Sequence, residues 1–174
     1  VLTQRNISNE KNATSYITKA GEEIQRISES LSDIVWNISP KYDELDNLFI
    51  RMKRYAADML EGKNIKANLI FPDSSEHISM PMDQRRDFYL IFKEAVNNLA
   101  KYSGATEATV QVVVDHKIIC LKVSDNGIGY EESSIFPGNG VQNMKQRAEK
   151  WKANLEVNSE PQKGTSISLE MKVN

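Results

Sequence analysis

Polar side chains suited to a phosphate ligand and a metal ion fall near the end of one predicted helix. The segment FYLIFKEAVNNLAKYSGA places Glu94, Asn98 and Lys101 on one helical face, with Tyr102 beside them. The amide oxygen of Asn98 suits magnesium (Mg2+), which binds one or two protein oxygens together with water and substrate phosphates. Lys101 is a suitable counter-charge for phosphate, and Glu94 is suited to orienting a metal-bound water. A solvated helix face produces a similar pattern, so these four residues alone leave both interpretations open.

A second polar cluster follows a strand-like segment and is rich in glycine. In VSDNGIGY, Asp125 precedes Gly127 and Gly129, and a further pair, Gly138 and Gly140, opens the next predicted helix. An Asn-Gly pair often forms a hairpin turn, but a turn requires neither the acid nor the later glycines. Glycines let the backbone approach a ligand closely, and amides at a helix start bind phosphate. Because a carboxylate accepts a hydrogen bond from the amine of adenine and repels the carbonyl of guanine, the combined pattern predicts an adenine nucleotide.

The order of the predicted elements favours an α+β fold. Apolar periodicity and turn residues predict helices over 45–60, 82–102 and 141–153, and strands over 65–71, 108–114, 118–123, 154–159 and 165–173. Strands that follow each other through short turns favour a mixed or largely antiparallel sheet with its helices on one face, a two-layer α/β sandwich. Gly62 is expected to end the first of these helices in the left-handed conformation.

An additional helix is predicted before this domain. From Ile17 to Ile38 apolar residues recur mainly at alternating steps of four and three, and Pro40 ends the pattern. So regular a seam predicts a long coiled-coil-like helix that pairs with another helix or another subunit, and a surface helix packed on its own domain is the alternative. We therefore divide the chain into a helical segment, 1–41, and a main domain, 42–174.

Composition excludes several classes of partner. The 174 residues include 22 basic and 24 acidic side chains, a net charge of -2, so no overall field attracts nucleic acid or anionic lipid. No apolar run approaches the roughly 20 residues of a membrane helix, and the single cysteine cannot build a disulfide framework. We expect a cytoplasmic segment without membrane contact. Since the chain begins at Val1, we expect an excised fragment whose preceding residues carry a sensor, an inner-membrane anchor, or both.

The motifs together resemble the ATP-binding catalytic domain of bacterial sensor histidine kinases, in the superfamily that includes gyrase and MutL ATPases. FKEAVNNLAKYSGA is similar to the N box of that family, VSDNGIGY to its first glycine box, GNGVQNMKQRAEKW to its second and KGTSISLEM to the last. The similarity covers roughly Leu45 to Val173. The preceding LSDIVWNISPKYDELDNL resembles the second helix of the dimerisation and histidine-phosphotransfer hairpin, in the subgroup related to nitrate and desaturase sensors.

This resemblance implies a role for each polar site residue. Asp125 would bind the adenine amine, with Thr165 beside it through water. Asn98 would coordinate magnesium and Lys101 would contact phosphate. Glu94 matches the position of the general base in the hydrolysing relatives, and in a kinase it is expected to assist magnesium or proton transfer.

The remaining implied residues frame the pocket. Tyr102 would line it, and four glycines would frame the nucleotide and its lid: Gly127, Gly129, Gly138 and Gly140. The segment between the glycine boxes, 130–137, is short, which implies a small lid. Neither His77 nor His116 lies on an N-terminal helix, so neither resembles a phospho-acceptor.

The resemblance implies an ATP-dependent protein histidine kinase that uses ATP and magnesium. The phosphate would pass to a histidine upstream of Val1 and then to the receiver domain of a response regulator, in a homodimer formed through the N-terminal helix. Two alternatives stay open at this point. One is an anti-sigma-type serine kinase of the same fold, and the other is a catalytically silent dimerisation module.

Overall fold

The computed structural model describes residues 45–73, 78–131 and 140–173. The predicted N-terminal helix, His77, Gly138 and most of the predicted lid lie outside these ranges. The described elements are α1 (Leu45–Glu61), β1 (Lys66–Ile70), α2 (Met82–Tyr102), β2 (Glu107–Asp115), β3 (Ile118–Asp125), α3 (Gly140–Lys150), β4 (Asn154–Glu160) and β5 (Gly164–Lys172). Their order is the predicted order, and their boundaries agree with the predicted ones within two residues, except that α3 ends at Lys150 and was predicted to end at 153.

The five strands form one mixed sheet in the order β1-β2-β3-β5-β4. β1 pairs with β2 in parallel, whereas β2–β3, β3–β5 and β4–β5 are antiparallel. Burial alternates along the central strands, and Val110, Leu121 and Leu169 are among the buried residues. The three helices contact the sheet at β1, β3 and β4. One face of the sheet therefore carries the core, which confirms the predicted two-layer α/β sandwich.

Helix α2 is fixed by an apolar stripe on the side that faces the core. Phe88, Phe92, Ala95 and Leu99 are at most 5% exposed, at the spacing expected for one face of a helix. Tyr55 of α1 makes edge contacts with the rings of Phe92 and Tyr89. Because α2 is held along this stripe, its remaining faces are available to carry polar side chains at defined positions.

Helix α3 is tied to α2 through a buried carboxylate. Asp87 accepts hydrogen bonds from Lys150 Nζ and Trp151 Nε1, each at 2.8 Å, and Arg147 Nε lies 3.9 Å from its other oxygen. Burial alone would raise the pKa of Asp87, but the hydrogen bonds from Lys150 and Trp151 outweigh it, and the pKa lies below its ordinary value. We call Asp87, Arg147, Lys150 and Trp151 the α2–α3 junction.

The end of α1 differs from expectation. Gly62 does not take the left-handed conformation; its N–H donates to Asp58 O in a continued helical turn, and Asn64 adopts positive φ instead, at 57°. Asn is one of the few residues other than glycine that tolerate this region, so Asn64 can take the left-handed position that was expected of Gly62.

Among the helices of the described ranges, none is both long and apolar enough to cross a bilayer.

Candidate functional site

A cavity of about 470 Å³ opens between α2, the end of β3, the start of α3 and β5. Its size is within the range of small-molecule sites. The predicted site residues that line it are Glu94, Asn98, Tyr102, Asp125, Gly129, Gly140 and Thr165. Residues that come from four separate parts of the sequence therefore surround one space.

Two predicted site residues, Lys101 and Gly127, are not among the described residues that line the cavity, and a third cannot be compared. Lys101 is exposed, Gly127 is buried within the loop that follows β3, and Gly138 lies outside the described residues. Helical periodicity places Lys101 on the same face of α2 as Asn98. Periodicity does not predict how far along that face the cavity extends.

Asp125 ends β3 and turns its carboxylate toward the cavity. The strand includes Asp125 because this residue still pairs with Ala108 of β2. Its carboxylate accepts hydrogen bonds from the backbone N–H groups of Gly127, at 2.8 Å, and Thr165. Burial raises the pKa of Asp125, and the two amide hydrogen bonds oppose that rise only in part. We call Asp125, Gly127, Gly164 and Thr165 the β3 end.

The loop after Asp125 is clamped from two sides by backbone. Ile128 N–H donates to Ser103 O at 2.8 Å, and Gln162 N–H donates to Ile128 O at 2.7 Å. A Cβ on Gly127 would lie 2.1 Å from Ser103 O, and one on Gly129, where φ is 55°, would lie 2.0 Å from Glu160 O. These two glycines are therefore required by the close approach of neighbouring backbone, and the segment does not form the hairpin turn that Asn-Gly often marks.

Asn126 is a structural residue that the sequence pattern did not single out. Its side-chain oxygen accepts hydrogen bonds from the N–H groups of Thr106 and Glu107, both at 3.0 Å. Its own N–H donates to Glu107 O at 3.2 Å. Asn126 thus joins the loop after β3 to the start of β2 and leaves Asp125 to face the cavity.

The start of α3 lies against the Glu94 carboxylate. A Cβ on Gly140 would be 2.0 Å from Glu94 Oε1, so glycine is the residue that lets this carboxylate approach. A negative group is favourable at a helix N-terminus because the amides there carry partial positive charge. Asn98 follows Glu94 by one helical turn, so its side chain lines the same side of the cavity.

Two apolar side chains complete the wall beside Asp125. Tyr102 and Ile128 both line the cavity while remaining 55% and 54% exposed. Exposed apolar surface at a cavity is typical of a site that covers a flat or apolar ligand. Ile128 was not predicted from the sequence, although it is the side chain that stands between the two glycines of that loop.

Ser159 is a further polar residue at this site that the sequence did not reveal. Its Oγ accepts a hydrogen bond from Tyr130 N–H at 3.0 Å and lies 2.8 Å from Thr165 Oγ1. A serine in an alternating polar strand has no distinguishing sequence signal, since the pattern predicts only which side chains share a face. Only the pairing of Ser159 with Thr165 in the β4–β5 ladder brings the two hydroxyls together.

Comparison with known proteins identifies the family. Residues 83–174 match the family described as histidine kinase-, DNA gyrase B-, and HSP90-like ATPase. This match covers more than half of the chain, and the chain belongs to that family. The resemblance drawn from the glycine boxes is thereby confirmed at the level of the family.

Sequence relatives include sensor proteins. The sensor protein VraS of Staphylococcus saprophyticus is 26% identical over 100 residues, which are 57% of this chain and 29% of that protein. The sensor protein VraS of Staphylococcus epidermidis is 27% identical over the same shares of each chain. The matched region thus spans less than a third of the length of these relatives.

Solved structures show the same fold. The histidine kinase domain of the Erythrobacter litoralis EL346 blue-light activated histidine kinase has a TM-score of 0.61 at 18% identity, over 72% of this chain and 61% of that chain. The Acinetobacter baumannii histidine kinase AdeS has a TM-score of 0.61 at 14% identity, over 88% and 81%. The mixed sheet with its helices is therefore the fold of histidine kinase ATPase domains.

Proposed function

We propose that this chain is the ATP-binding catalytic portion of a two-component sensor histidine kinase of the subgroup related to nitrate and desaturase sensors. Residues 1–41 would belong to its dimerisation and phosphotransfer helices. In the reaction, the bond from the γ-phosphorus to the bridging oxygen of ATP breaks and a phosphorus–nitrogen bond forms on a histidine outside this chain, with release of ADP and the ring proton. The receiver domain of a response regulator then takes the phosphate. The observation that carries the proposal is the convergence of Asp125, Asn98 and Glu94 on one cavity.

Adenine recognition is assigned to the β3 end. The carboxylate of Asp125 uses two of about four acceptor positions on backbone N–H groups, so it can accept another hydrogen bond from the 6-amino group. Thr165 lies beside it and would contact the base through water. Tyr102 and Ile128 supply the apolar surfaces that a purine ring requires on its faces.

Phosphate and metal binding are assigned to α2 and the start of α3. The donor set fits magnesium, because Asn98 supplies a neutral oxygen and Glu94 a carboxylate that can hold a metal-bound water. When bound, magnesium would neutralise charge on the phosphates. Lys101 is exposed near the end of α2 and has a long flexible side chain, which we propose contacts the outer phosphates. The contribution of this chain is to position and stabilise the triphosphate, since phosphoryl transfer requires little covalent chemistry from the protein.

We propose that His116 is not the phospho-acceptor, because it lies far from Asp125. His116 occupies the turn between β2 and β3, with its side chain 94% exposed. A strand rises by about 3.3 Å per residue, so the eight residues of β3 separate this turn from Asp125 by more than about 20 Å. His77 lies outside the described residues.

Isothermal titration with ATP and magnesium tests the nucleotide site. We expect saturable binding by the unaltered chain and a loss of at least about 100-fold in affinity for Asp125→Asn and for Asn98→Ala, since each removes a contact to charged or polar ligand atoms. Asp115→Asn is the matched control, because it makes the same chemical change at the opposite end of the sheet on an exposed side chain. Unchanged affinity in both site variants would count against the assignment.

The parent gene tests the kinase assignment separately. We expect the residues that precede Val1 to include a helix that carries a histidine followed by an acidic residue. If ATP binds and no such helix is encoded, the serine-kinase and silent-module alternatives regain support.

A further inference from the structure

We propose that Asn126 is a deamidation site, which the folded loop after β3 holds unreactive until that loop opens locally. Two asparagines of the sequence precede glycine, Asn126 and Asn139. Such pairs react readily, because glycine has no side chain to hinder attack by its own backbone nitrogen, and they contribute to the thermolability of asparagine. Asn139 lies outside the described residues, whereas the nitrogen and the side chain that react at Asn126 both have defined partners.

The reaction needs only the chain and water. The backbone nitrogen of Gly127 attacks Cγ of Asn126, so a bond forms between these two atoms and the Cγ–Nδ2 bond breaks. The proton of the Gly127 nitrogen leaves with Nδ2 as ammonia. Water then opens the resulting succinimide ring at either carbonyl, which gives aspartate or isoaspartate at position 126.

The attacking nitrogen is held by the carboxylate of Asp125. Gly127 N–H donates to Asp125 Oδ1 at 2.8 Å, and Gly127 is buried within the loop. This nitrogen becomes a nucleophile only when it loses its proton, and the resulting anion would lie beside a carboxylate, which disfavours it. The contact with Asp125 therefore suppresses the first step of the reaction.

The side chain under attack is anchored to the start of β2. Asn126 Oδ1 accepts hydrogen bonds from the N–H groups of Thr106 and Glu107, and Asn126 Nδ2 donates to Thr106 Oγ1, all at 3.0 Å. The direction of the first two bonds is fixed, because a backbone N–H can only donate. Ring closure requires Asn126 Cγ to meet the Gly127 nitrogen, and these three hydrogen bonds oppose that movement.

This protection is distinct from burial of the side chain. Asn126 is exposed, so water reaches it and would hydrolyse a succinimide that formed there. Exposed hydrogen-bonded segments open at a smaller cost in free energy than the core strands of a domain. Conversion of Asn126 is therefore expected to follow local opening of the loop, with the rest of the fold in place.

The isoaspartate product would not fit the loop. It lengthens the main chain by one methylene between positions 126 and 127, where a Cβ on Gly127 would already lie 2.1 Å from Ser103 O. Ile128 N–H also donates to Ser103 O at 2.8 Å, so the loop cannot move outward without losing this contact. Modification of Asn126 should therefore disrupt the β3 end, which contains Gly127 and Asp125.

Mass spectrometry of a tryptic digest of the whole chain tests the proposal. Cleavage after Lys122 and Lys145 yields one peptide that contains both Asn126 and Asn139, and fragmentation assigns the gain in mass to either position. In slightly alkaline buffer we expect Asn126 to convert at least about 10-fold more slowly in the folded chain than in guanidinium chloride. Asn139 in guanidinium chloride gives the intrinsic rate of an Asn-Gly pair. Equal rates for Asn126 in the folded and unfolded chains, or no conversion in the unfolded chain, would overturn the proposal.

Thr106→Val separates local opening from global unfolding. It removes the acceptor of Asn126 Nδ2 and should speed conversion in the folded chain about 3- to 10-fold. Thr109→Val is the matched control, because it makes the same change at a residue that pairs with Ser124, and it should leave the rate unchanged. Asp87→Asn, which weakens the α2–α3 junction, should also leave it unchanged. No acceleration by Thr106→Val, or equal acceleration by Asp87→Asn, would show that the loop contacts do not control the reaction.

Hydrogen exchange of the unaltered chain gives the same test if circular dichroism shows that Thr106→Val is unfolded. The Gly127 amide should exchange faster than the amide of Leu121, which lies on β3 in the middle of the sheet. Equal protection of the two amides would mean that the loop opens only with the whole domain, and the proposal would be wrong. Asn126 is not assigned to nucleotide binding, so these results are independent of the ATP titration.

Discussion

Two aspartates of this chain are held in opposite ways, one at the α2–α3 junction and one at the β3 end. Asp87 is bound by side chains that carry positive charge or an indole N–H, and its pKa lies below its ordinary value. Asp125 is bound by neutral backbone amides, and burial raises its pKa. A buried carboxylate with charged partners is satisfied within the fold, whereas one held only by amides at a cavity retains capacity for a ligand.

The two regions also differ in what limits substitution. At the α2–α3 junction the contacts to Asp87 are made by side chains. At the β3 end the backbone itself is close-packed: a Cβ on Gly164 would lie 2.0 Å from Asp125 O, at a φ of 82°. Stability should therefore depend on side-chain charge in one region and on the absence of a side chain in the other.

The largest expected effect is at Gly164. Gly164→Ala should lower the free energy of unfolding by about 3 kcal/mol or more, because it adds both a clash with backbone and a strained φ. Urea denaturation measures this loss. Gly62→Ala is the control, since its nearest contact would be 3.2 Å and its φ is not positive. Equal stability of the two variants would remove the contrast between the regions.

A smaller effect is expected at Asp87. Asp87→Asn should lower the free energy of unfolding by about 2 kcal/mol, because Lys150 loses its charged partner and the amide cannot accept from both donors equally well. Asp125→Asn should change it by less than about 1 kcal/mol, because the neutral amide removes the cost of burying a charge. Urea denaturation and ATP titration together separate the variants. If Asp87→Asn lost ATP binding and kept its stability, the structural role given to Asp87 would be wrong.

The smallest expected effect is the dependence of stability on pH, which differs in sign between Asp87 and Asp125. The lowered pKa of Asp87 contributes stability above the ordinary aspartate value of about 3.9, and this is lost as the pH falls through the folded pKa. The raised pKa of Asp125 contributes stability only below about 3.9, and this is lost as the pH rises through the folded pKa.

Carbon NMR of the carboxyl groups measures directly the order in which the two groups titrate. We expect the Asp125 resonance to titrate above the ordinary value and the Asp87 resonance below it. Asp125→Asn should remove the higher transition and leave the other in place. The reverse order would contradict the contrast.

Most of the fold could be predicted from local patterns. The stripe of Phe88, Phe92, Ala95 and Leu99 predicted α2 with its observed bounds, because a long amphipathic helix repeats the same signal over several turns. The short strands were found through alternation and turn residues. The strand order, with β5 between β3 and β4, depends on contacts between distant segments and leaves no mark in any local window.

The candidate site was predicted only in part, because some of its residues carry a local sequence signal and others depend on contacts between distant segments. Asp125, Asn98 and Gly140 carry distinctive residue types at distinctive spacings, whereas Ser159 acquires its position only through its pairing with Thr165. Helix α3 ends at Lys150, three residues earlier than predicted, and Lys152 beyond it has a positive φ of 52°. No glycine or proline lies at this point, so the sequence carries no signal for the end of the helix. The long N-terminal helix and the division of the chain into segments 1–41 and 42–174 stay predictions.

The approach of Glu94 to the first residue of α3 has a consequence for substitutions at Gly140. A methyl group at position 140 would lie 2.0 Å from Glu94 Oε1, so the two groups cannot both keep these positions. Because Oε1 is the far end of a flexible side chain, the carboxylate would turn aside and the fold would be kept. Gly140→Ala should therefore displace the Glu94 carboxylate from the start of α3, which tests the role of Glu94 without replacing Glu94 itself.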